Sequence, residues 1–345
     1  LAPPPPPPEG TGLSNVTMDR LRAIMIEVLT KKPVEARPRA VLQRDTTMTL
    51  AQRIDEFRER LRKRGKFSFR RAIMECTTRV EVVVSFLAIL ELLGVDPGDR
   101  KDFFNWTNTM IFADDPDMSV SELDGQLASL KVIEYAMRLA AEHQRAPQRN
   151  VLGALLVGRI DGRPLTDEEF GWMFVLTLVG GNESTRTVIA HGMRLLMENP
   201  EQLQYLVDNP DRIADACEEI LRYNTAFIAM RRTAMQDVEL AGQQIRKGDK
   251  VLLHYHAINH DERVFGADAM RFDVRRAGRM PDLYNQLRSF GIGQHFCIGS
   301  HLARLELRVM FEEIIPRLRN PRLLAPPRYV RSFFVNGIKE MRIGF

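Results

Sequence analysis

One very long predicted helix, near the middle of the 345-residue chain, is the feature that most constrains the fold. Thr166 and Glu169 have the spacing of a capping box, in which each side chain accepts a hydrogen bond from the other residue's backbone N–H at a helix start. The helical pattern continues to about Glu198, and Asn199-Pro200 begins the next helix. About 32 residues give a helix of roughly 48 Å, which is long enough to cross a whole domain.

The remaining pattern is mostly helical, with a little β-structure. Apolar residues recur at three- and four-residue spacing in four further segments: Met18 to Leu29, Thr49 to Arg64, Phe69 to Leu93 and Ser121 to Gln144. Strand patterns come late in the chain, at Val238 to Leu240, then a turn at Ala241-Gly242, then Val251 to Tyr255. The sequence therefore predicts a mainly α fold with a small β portion.

Composition excludes several classes of protein. The net charge of +4 comes from interleaved acidic and basic residues, so we expect no nucleic-acid-binding arm. Three cysteines are too few and too scattered for a disulfide framework, and they indicate a reducing compartment. The most apolar stretch, Val82 to Val95, is short and contains Glu91, which is typical of a core helix and not of a membrane span. The run Pro3 to Pro8 predicts a disordered proline-rich tail over residues 1–12, followed by one domain over residues 13–345.

Cys297 lies in a glycine-rich run that precedes another predicted helix. Gly291, Gly293 and Gly299 allow backbone conformations that other residues avoid, so this loop can fold tightly around the sulfur. Backbone N–H groups and the positive end of the helix then favour the thiolate. A thiolate is one of the known axial ligands of haem iron. The alternative is a buried structural cysteine, but packing does not explain the spacing of the glycines.

Five residues of this loop match a known signature: Phe290, Gly293, His295, Cys297 and Gly299. They resemble the haem-ligand motif Phe-x-x-Gly-x-[Arg/His]-x-Cys-x-Gly of the cytochrome P-450 monooxygenases. The resemblance implies a triangular helical prism around a buried haem b, with Cys297 as the axial ligand of the iron. It covers about residues 13 to 345, and the family has a further N-terminal part that supplies most of a β-sheet and one pocket wall. We therefore expect a partial, N-terminally truncated version of that fold.

A second match lies halfway along the long helix. Gly180 and Gly181 each cost roughly 1 kcal/mol relative to alanine inside a helix, so we expect another body to approach the helix closely there. Ser184 can also bond back to the carbonyl of Gly180. Gly181, Glu183, Ser184 and Thr185 resemble the family's oxygen-activation motif Ala-Gly-x-[Glu/Asp]-Thr-Thr, with Gly180 in place of the alanine and Ser184 in place of the first threonine. This resemblance implies that Glu183, Ser184 and Thr185 are catalytic, because oxygen cleavage needs two delivered protons.

Three residues are expected to hold the core together. Glu219 and Arg222 lie three positions apart, on one helical face, and they resemble the family's Glu-x-x-Arg pair. In the family this pair joins an arginine of a later meander, which the resemblance places at Arg271. The family's usual proline is Ala269 in this chain.

The resemblance also implies contacts for the haem. Arg232 is matched to a propionate-binding arginine, since a guanidinium can bond a carboxylate bidentately. His295 is expected at the other propionate, and near the N-terminus only Arg22 remains of a His-x-x-x-Arg pattern. Further haem contacts are expected from the loop around Cys297, namely from Phe290, Gly291, Gly293 and Gly299, and from Gly181 in the long helix.

Apolar side chains predict a hydrophobic substrate. Those expected near the haem, some of which we expect to be core residues, are Phe174, Leu178, Phe227, Ile228, Ala229, Phe333, Phe334 and Val335. Trp106-Thr107-Asn108, Asp114-Asp115-Pro116 and Asn336 to Lys339 resemble the actinobacterial branch that oxidises sterol side chains, branched lipids and terpenoids.

The sequence carries no flavin or iron–sulfur motif, so electrons must come from outside. The resemblance implies a ferredoxin and an NAD(P)H-dependent ferredoxin reductase as partners, with O₂ as co-substrate. A basic face, to which Arg304 and Arg308 contribute, would steer an acidic ferredoxin. With no membrane-anchor pattern, we expect a cytoplasmic enzyme.

The leading hypothesis is a haem-dependent monooxygenase that hydroxylates a C–H bond of a hydrophobic small molecule. The alternative is a haem-binding but catalytically impaired relic or fragment, which lacks a complete substrate pocket. A cofactor-free helical interaction module is a third interpretation, but it leaves Cys297, Glu183 and the paired glycines unexplained.

Overall fold

The computed structural model of the chain describes residues 89–344, apart from 91, 97, 113–114, 116–120, 147–149, 161 and 319. The predicted proline-rich tail, Arg22 and the helices predicted before residue 89 lie outside these residues. Within them the structure is mostly helical, as predicted, and the strands form two-stranded sheets.

The predicted long helix is the central element. It is α4 (Asp167–Glu198), and Thr166 and Glu169 form the expected capping box at its start. The helices before it are α1 (Arg100–Ile111), α2 (Glu122–Arg145) and α3 (Val151–Val157). Those after it are α5 (Pro200–Asp208), α6 (Ile213–Tyr223), α7 (Tyr255–Ile258), α8 (Glu262–Phe265), α9 (Arg276–Arg279), α10 (Leu283–Gln286) and α11 (Ser300–Ile314). None of the helices in the described ranges has the length and hydrophobicity needed to cross a membrane.

The strands pair in five antiparallel ribbons. They are β1 (Arg159–Ile160) with β2 (Arg163–Pro164), β3 (Ala229–Thr233) with β6 (Lys250–His254), β4 (Val238–Leu240) with β5 (Gln243–Ile245), β7 (Arg322–Leu323) with β10 (Ile343–Gly344), and β8 (Arg328–Tyr329) with β9 (Ile338–Glu340).

The predicted hairpin turn is confirmed. Ala241 and Gly242 join β4 to β5, and both have positive φ, 50° and 78°, which is the backbone that a two-residue hairpin turn requires. The predicted strand Val251 to Tyr255 ends one residue early, because Tyr255 begins α7. Its partner β3 was not predicted, since the paired arginines Arg231 and Arg232 interrupt the alternation of apolar and polar residue types in the sequence, although burial does alternate along the strand.

Two apolar clusters lie along α4. One packs the C-terminal half of α4 against α6 and α11, and here Gly192 lets the helices approach closely, because an added Cβ would lie 2.5 Å from Cζ of Phe311. The other packs the N-terminal half of α4 against α1, α2 and α3. Phe174 and Leu178 are fully buried in this second cluster. They are therefore core residues and do not line a pocket.

Candidate functional site

The loop before Cys297 is fixed by its backbone. The Cys297 N–H donates to the Phe290 carbonyl at 2.8 Å, and the Gly291 N–H donates to the Arg288 carbonyl at 2.9 Å. Gly291 and Gly293 have φ of 73° and 69°, in the left-handed region where other side chains are strained. These two glycines are therefore required for the turn, as the sequence predicts.

Cys297 has a half-buried thiol side chain. It precedes α11, and its carbonyl accepts a hydrogen bond from the Ser300 N–H at 3.3 Å. Gly299 keeps one side of the sulfur open, since a Cβ on that residue would lie 3.9 Å from Sγ. The neighbouring Ile298 packs against the cluster around the N-terminal half of α4. The thiol thus lies close to the positive end of a helix, which favours an anion, and in a loop that packs against the apolar cluster of α1 to α4.

One face of α4 is open where the rest of the helix is buried. Trp172, Leu176, Gly180 and Ser184 follow each other at four-residue spacing, so they form one stripe, here called the open stripe. Trp172 and Leu176 are 45% and 46% exposed, and a Cβ on Gly180 would meet nothing within 4 Å. Apolar side chains left uncovered on the N-terminal half of the longest helix are typical of a binding surface for an apolar ligand.

The paired glycines Gly180 and Gly181 show both the predicted close approach of another residue and the predicted bond from Ser184 to the backbone. A Cβ on Gly181 would lie 2.8 Å from Cδ1 of Ile89, so the close approach occurs at Gly181 and not at Gly180. The Ser184 hydroxyl donates to the Gly180 carbonyl at 2.7 Å, which confirms the expected bond. The carbonyl and hydroxyl therefore share the polar end of the open stripe.

Glu183 and Thr185 are buried beside the open stripe. The Glu183 carboxylate forms an ion pair with Arg186 and accepts a hydrogen bond from the Thr187 hydroxyl at 3.4 Å. The Arg186 guanidinium in turn lies 5.3 Å from the centroid of the Phe112 ring. Of the three predicted catalytic residues, only Ser184 reaches the open stripe, whereas the Glu183 charge is neutralised next to it.

The core ion cluster contains a different arginine from the one predicted. Glu219 and Arg222 are fully buried and joined by two hydrogen bonds, of 2.7 and 2.8 Å. The third member is Arg276, whose Nε lies 3.2 and 3.1 Å from the two Glu219 oxygens. Arg271 is exposed and contributes its carbonyl alone, which accepts from Arg222 and from Arg276.

The prediction for Arg271 was wrong because the chain turns before the arginine can reach the cluster. Residues 266 to 271 form tight turns that direct the Arg271 side chain outward, whereas Arg276 begins α9, which packs against α6. A buried ion cluster is stable only if every charge finds partners. Here the remaining Arg222 donors bond the carbonyls of Asn259 and Ala269.

Asn259 was missed by the sequence analysis, and it connects this cluster to the cysteine loop. It is fully buried, and its carbonyl accepts from Arg222. Its Oδ1 accepts from the Arg288 N–H at 2.6 Å, and its Nδ2 donates to the Ser289 hydroxyl at 2.8 Å. Ser289 immediately precedes Phe290, so Asn259 fixes the start of the cysteine loop. A lone buried Asn carries no sequence signal of such a role.

The predicted propionate contacts are both accessible to solvent. Arg232 is half-buried on β3, and His295 is exposed in the turn before Cys297. Among the described residues Arg232 has no carboxylate partner, and its one side-chain hydrogen bond is to the Arg231 carbonyl at 3.1 Å.

Arg304 and Arg308 were expected to contribute to a basic face that steers a ferredoxin. In the structure they are paired with Glu218 and Glu312.

The other candidate pocket residues form a second apolar wall. Phe227 forms a β-bridge with Val335, and its ring lies 4.7 Å from that of Phe334. Phe333 is 80% exposed beside them. This segment is anchored further along, where Lys339 forms an ion pair with the buried Asp115. The structure therefore brings together two of the three segments that marked the predicted branch.

These residues fit a haem. Within the described residues, no group of three or more His, Cys, Asp and Glu side chains is arranged to hold a metal ion, so an iron at Cys297 would have to bring its own equatorial ligands. A porphyrin does so, and it needs open space beside an apolar surface; at Gly180 an added Cβ would meet nothing within 4 Å. The half-buried thiol and the accessible Arg232 and His295 are the donors that such a group requires.

Comparisons with known proteins identify relatives of this chain. A family model described as Cytochrome P450 matches residues 213–321, which include α6 and the cysteine loop. The Steroid C26-monooxygenase of Mycolicibacterium smegmatis is 33% identical over 336 residues, 96% of this chain and 75% of that protein. The Linalool 8-monooxygenase of Pseudomonas putida is 38% identical over 257 residues, 74% of this chain and 62% of that protein. A Mycobacterium marinum cytochrome P450 solved in complex with pseudoionone has a TM-score of 0.70 and 27% identity, covering 96% of this chain and 72% of that one.

Proposed function

Because this chain belongs to the cytochrome P450 family, we propose that it is a monooxygenase that hydroxylates a C–H bond of a hydrophobic small molecule. A haem bound through Cys297 would supply the iron chemistry that activates O₂. The observation that carries the proposal is a half-buried thiol at a helix start, in a loop whose Ile298 packs against the apolar cluster around the N-terminal half of α4.

The substrate we propose is a sterol side chain, a branched lipid or a terpenoid. Trp172 and Leu176 on α4, and Phe227 with Phe334 in the β-bridged segments, offer exposed or half-buried apolar surface that suits an apolar substrate. The names of the two relatives, a steroid and a linalool monooxygenase, support the same class.

Proton delivery is assigned to the polar end of the open stripe. Since the Ser184 hydroxyl donates its proton to the Gly180 carbonyl, its lone pairs remain free to accept from a water molecule at the open stripe. Glu183, held by Arg186, and the buried Thr185 stand next to it as the acid and the second hydroxyl. These three residues would bring protons to oxygen at the open stripe.

Electrons are proposed to come from a ferredoxin and its NAD(P)H-dependent reductase. The support is chemical, because the motifs of the chain provide no second redox centre. Arg304 and Arg308 do not support docking of this partner, since both are neutralised by carboxylates on the same face.

Product formation tests the proposal. The haem-loaded chain, supplied with a ferredoxin system, is expected to convert at least one member of a sterol, branched-lipid and terpenoid panel to a hydroxylated product. Haem binding without product from any member would support the alternative of an impaired relic. Absence of haem would contradict both.

Ser184→Ala tests the distal assignment. We expect it to retain haem but to lower the product formed per O₂ consumed by about tenfold or more, because general acid–base groups typically contribute 10²- to 10⁴-fold. Ser129→Ala is the matched control, since Ser129 makes the same back-bond to Gly125 on α2, at 3.0 Å, away from the site. Equal coupling in the two variants would remove Ser184 from the mechanism.

A further inference from the structure

Arg304 lies where α11, the cysteine loop and α6 meet. Its guanidinium is stacked between two rings, with Cζ 3.8 Å from the centroid of Tyr284 and 4.5 Å from that of Phe290. Two hydrogen bonds join it to Glu218, from Nε to Oε1 at 2.7 Å and from Nη2 to Oε2 at 3.0 Å. The two side chains are only 13% and 15% exposed. A bidentate, stacked and mostly buried pair of this kind is held in one geometry.

This pair is coupled to Cys297 through a single residue. The ring of Phe290 is stacked on Arg304, and the carbonyl of Phe290 accepts the hydrogen bond from the Cys297 N–H. Arg304 therefore holds the ring of Phe290 by stacking on it, while Asn259 holds the two residues before Phe290 by hydrogen bonds.

The pair also matters electrostatically. Arg304 comes seven residues after Cys297, about 10 Å along the helix axis. A positive charge at that distance in a partly buried setting favours negative charge on the sulfur and on its metal. Glu218 cancels that field, since its carboxylate lies against the guanidinium.

We propose that Arg304 and Glu218 form a positioning pair for the haem ligand: Arg304 holds Phe290, and hence Cys297, in place, and Glu218 balances the charge that Arg304 would otherwise impose on the thiolate. The inference rests on the proposed haem site and goes beyond it, because neither residue is among the expected haem contacts. It also replaces the expected role of Arg304 in steering a ferredoxin.

A charge series tests the proposal in the haem-loaded protein. The measurement is the ratio of reduced to oxidised haem at a fixed solution potential, together with the Soret band of the reduced carbon monoxide complex. Glu218→Gln leaves the Arg304 cation unbalanced, so the ratio is expected to rise about fourfold. Arg304→Gln leaves the Glu218 anion unbalanced, so the ratio is expected to fall by a similar factor. The double variant restores neutrality and is expected to return to within about twofold of the wild type.

The Soret band reports positioning separately from charge. Glu218→Gln keeps both ring contacts of Arg304, and the thiolate band is expected to remain intact. Arg304→Gln and the double variant lose those contacts, and part of the thiolate band is expected to be lost in both. Glu312→Gln is the matched control, because it removes the same charge from an ion pair that lies one turn further along α11.

Three outcomes would overturn the proposal: shifts of the same sign in Glu218→Gln and Arg304→Gln, a Glu218→Gln shift no larger than that of Glu312→Gln, or an unchanged thiolate band in Arg304→Gln. If Arg304→Gln retains no haem, the comparison of Glu218→Gln with Glu312→Gln decides alone. A wild type without a thiolate band would contradict the proposed function itself. A wild type with the band but without the charge series would contradict only this inference.

Discussion

The buried carboxylate of Glu219 holds together a hydrogen-bond network that extends to the cysteine loop. Its two oxygens accept from Arg222, from Arg276 and from the Asp273 N–H at 2.9 Å. Through Arg222 the network reaches Asn259, and through Asn259 it reaches the residues that precede Phe290. Desolvating three charged side chains is expensive, so each must keep its partners. The position of the cysteine ligand is thus connected to a charge more than 70 residues earlier in the chain.

Arg276→Gln is predicted to be severely destabilising, whereas Arg271→Gln is not. Removing the Arg276 guanidinium leaves Glu219 short of one buried cation, a change that costs about 3–5 kcal/mol. Arg271 is exposed and contributes only a backbone carbonyl, which glutamine retains. Urea unfolding of both variants, with haem retention as a second readout, makes the comparison. Equal losses of stability would mean that Arg271, and not Arg276 alone, anchors the cluster.

At the scale of elements, three glycines of α4 lie in surroundings that differ in how closely they are packed. Gly192 is closed in by Phe311 and Ile220, Gly181 by Ile89, and Gly180 by nothing within 4 Å. Close packing requires the first two, whereas the third lies in the open stripe. The same helix therefore contributes to both apolar clusters and also carries the open stripe.

Gly180→Ala and Gly192→Ala are predicted to change stability in opposite directions. A Cβ on Gly180 meets no atom, so the variant gains helix propensity of about 0.5–1 kcal/mol. A Cβ on Gly192 would lie 2.5 Å from a ring carbon of Phe311, and such overpacking costs about 1–3 kcal/mol. Thermal unfolding of the two variants provides the test, and destabilisation by Gly180→Ala would show that its surroundings are more closed than the open stripe implies.

The elements that the sequence predicts well are those decided by near neighbours. The capping box of α4, the Ala241-Gly242 turn and the Ser184 back-bond each depend on residues within four positions. Arg276 and Asn259 were not predictable in this way, because their partners lie 57 and 37 positions away. Phe174 and Leu178 were ambiguous for a related reason: the sequence gives their helix but not which face of it meets the core.

For the molecule as a whole, buried histidines make stability depend on pH. His191 in α4 donates from Nε2 to the carbonyl of Asn336 at 2.7 Å, which ties the central helix to the C-terminal segment. Burial, opposed in part by the hydrogen bond to Asn336 and assisted by the nearby Arg194, lowers the pKa of His191 to about 4. Burial also lowers the pKa of His256 to about 4. These folded-state pKa values lie below those of the unfolded chain.

Stability is therefore predicted to fall as the pH is lowered from about 6.5 to about 4. In that range the unfolded chain binds protons that the folded protein does not bind, so acid favours unfolding. The contribution of His191 to the loss of unfolding free energy is about 2–3 kcal/mol. The half-exposed His256 adds less. Urea midpoints at several pH values measure the slope, which His191→Gln should flatten and the exposed control His301→Gln should leave unchanged. A slope that persists in full in His191→Gln would assign it to other groups.

The central claim is that Cys297 is the thiolate ligand of a haem, and the reduced carbon monoxide spectrum tests it most directly. Cys217 provides the matched control, because it is a free cysteine buried away from the loop, between α4, α6 and α11. We predict the red-shifted Soret band of a thiolate-ligated haem in the wild type and in Cys217→Ala, and its loss in Cys297→Ala. A wild type without that band, or a Cys297→Ala protein that keeps it, would contradict the account.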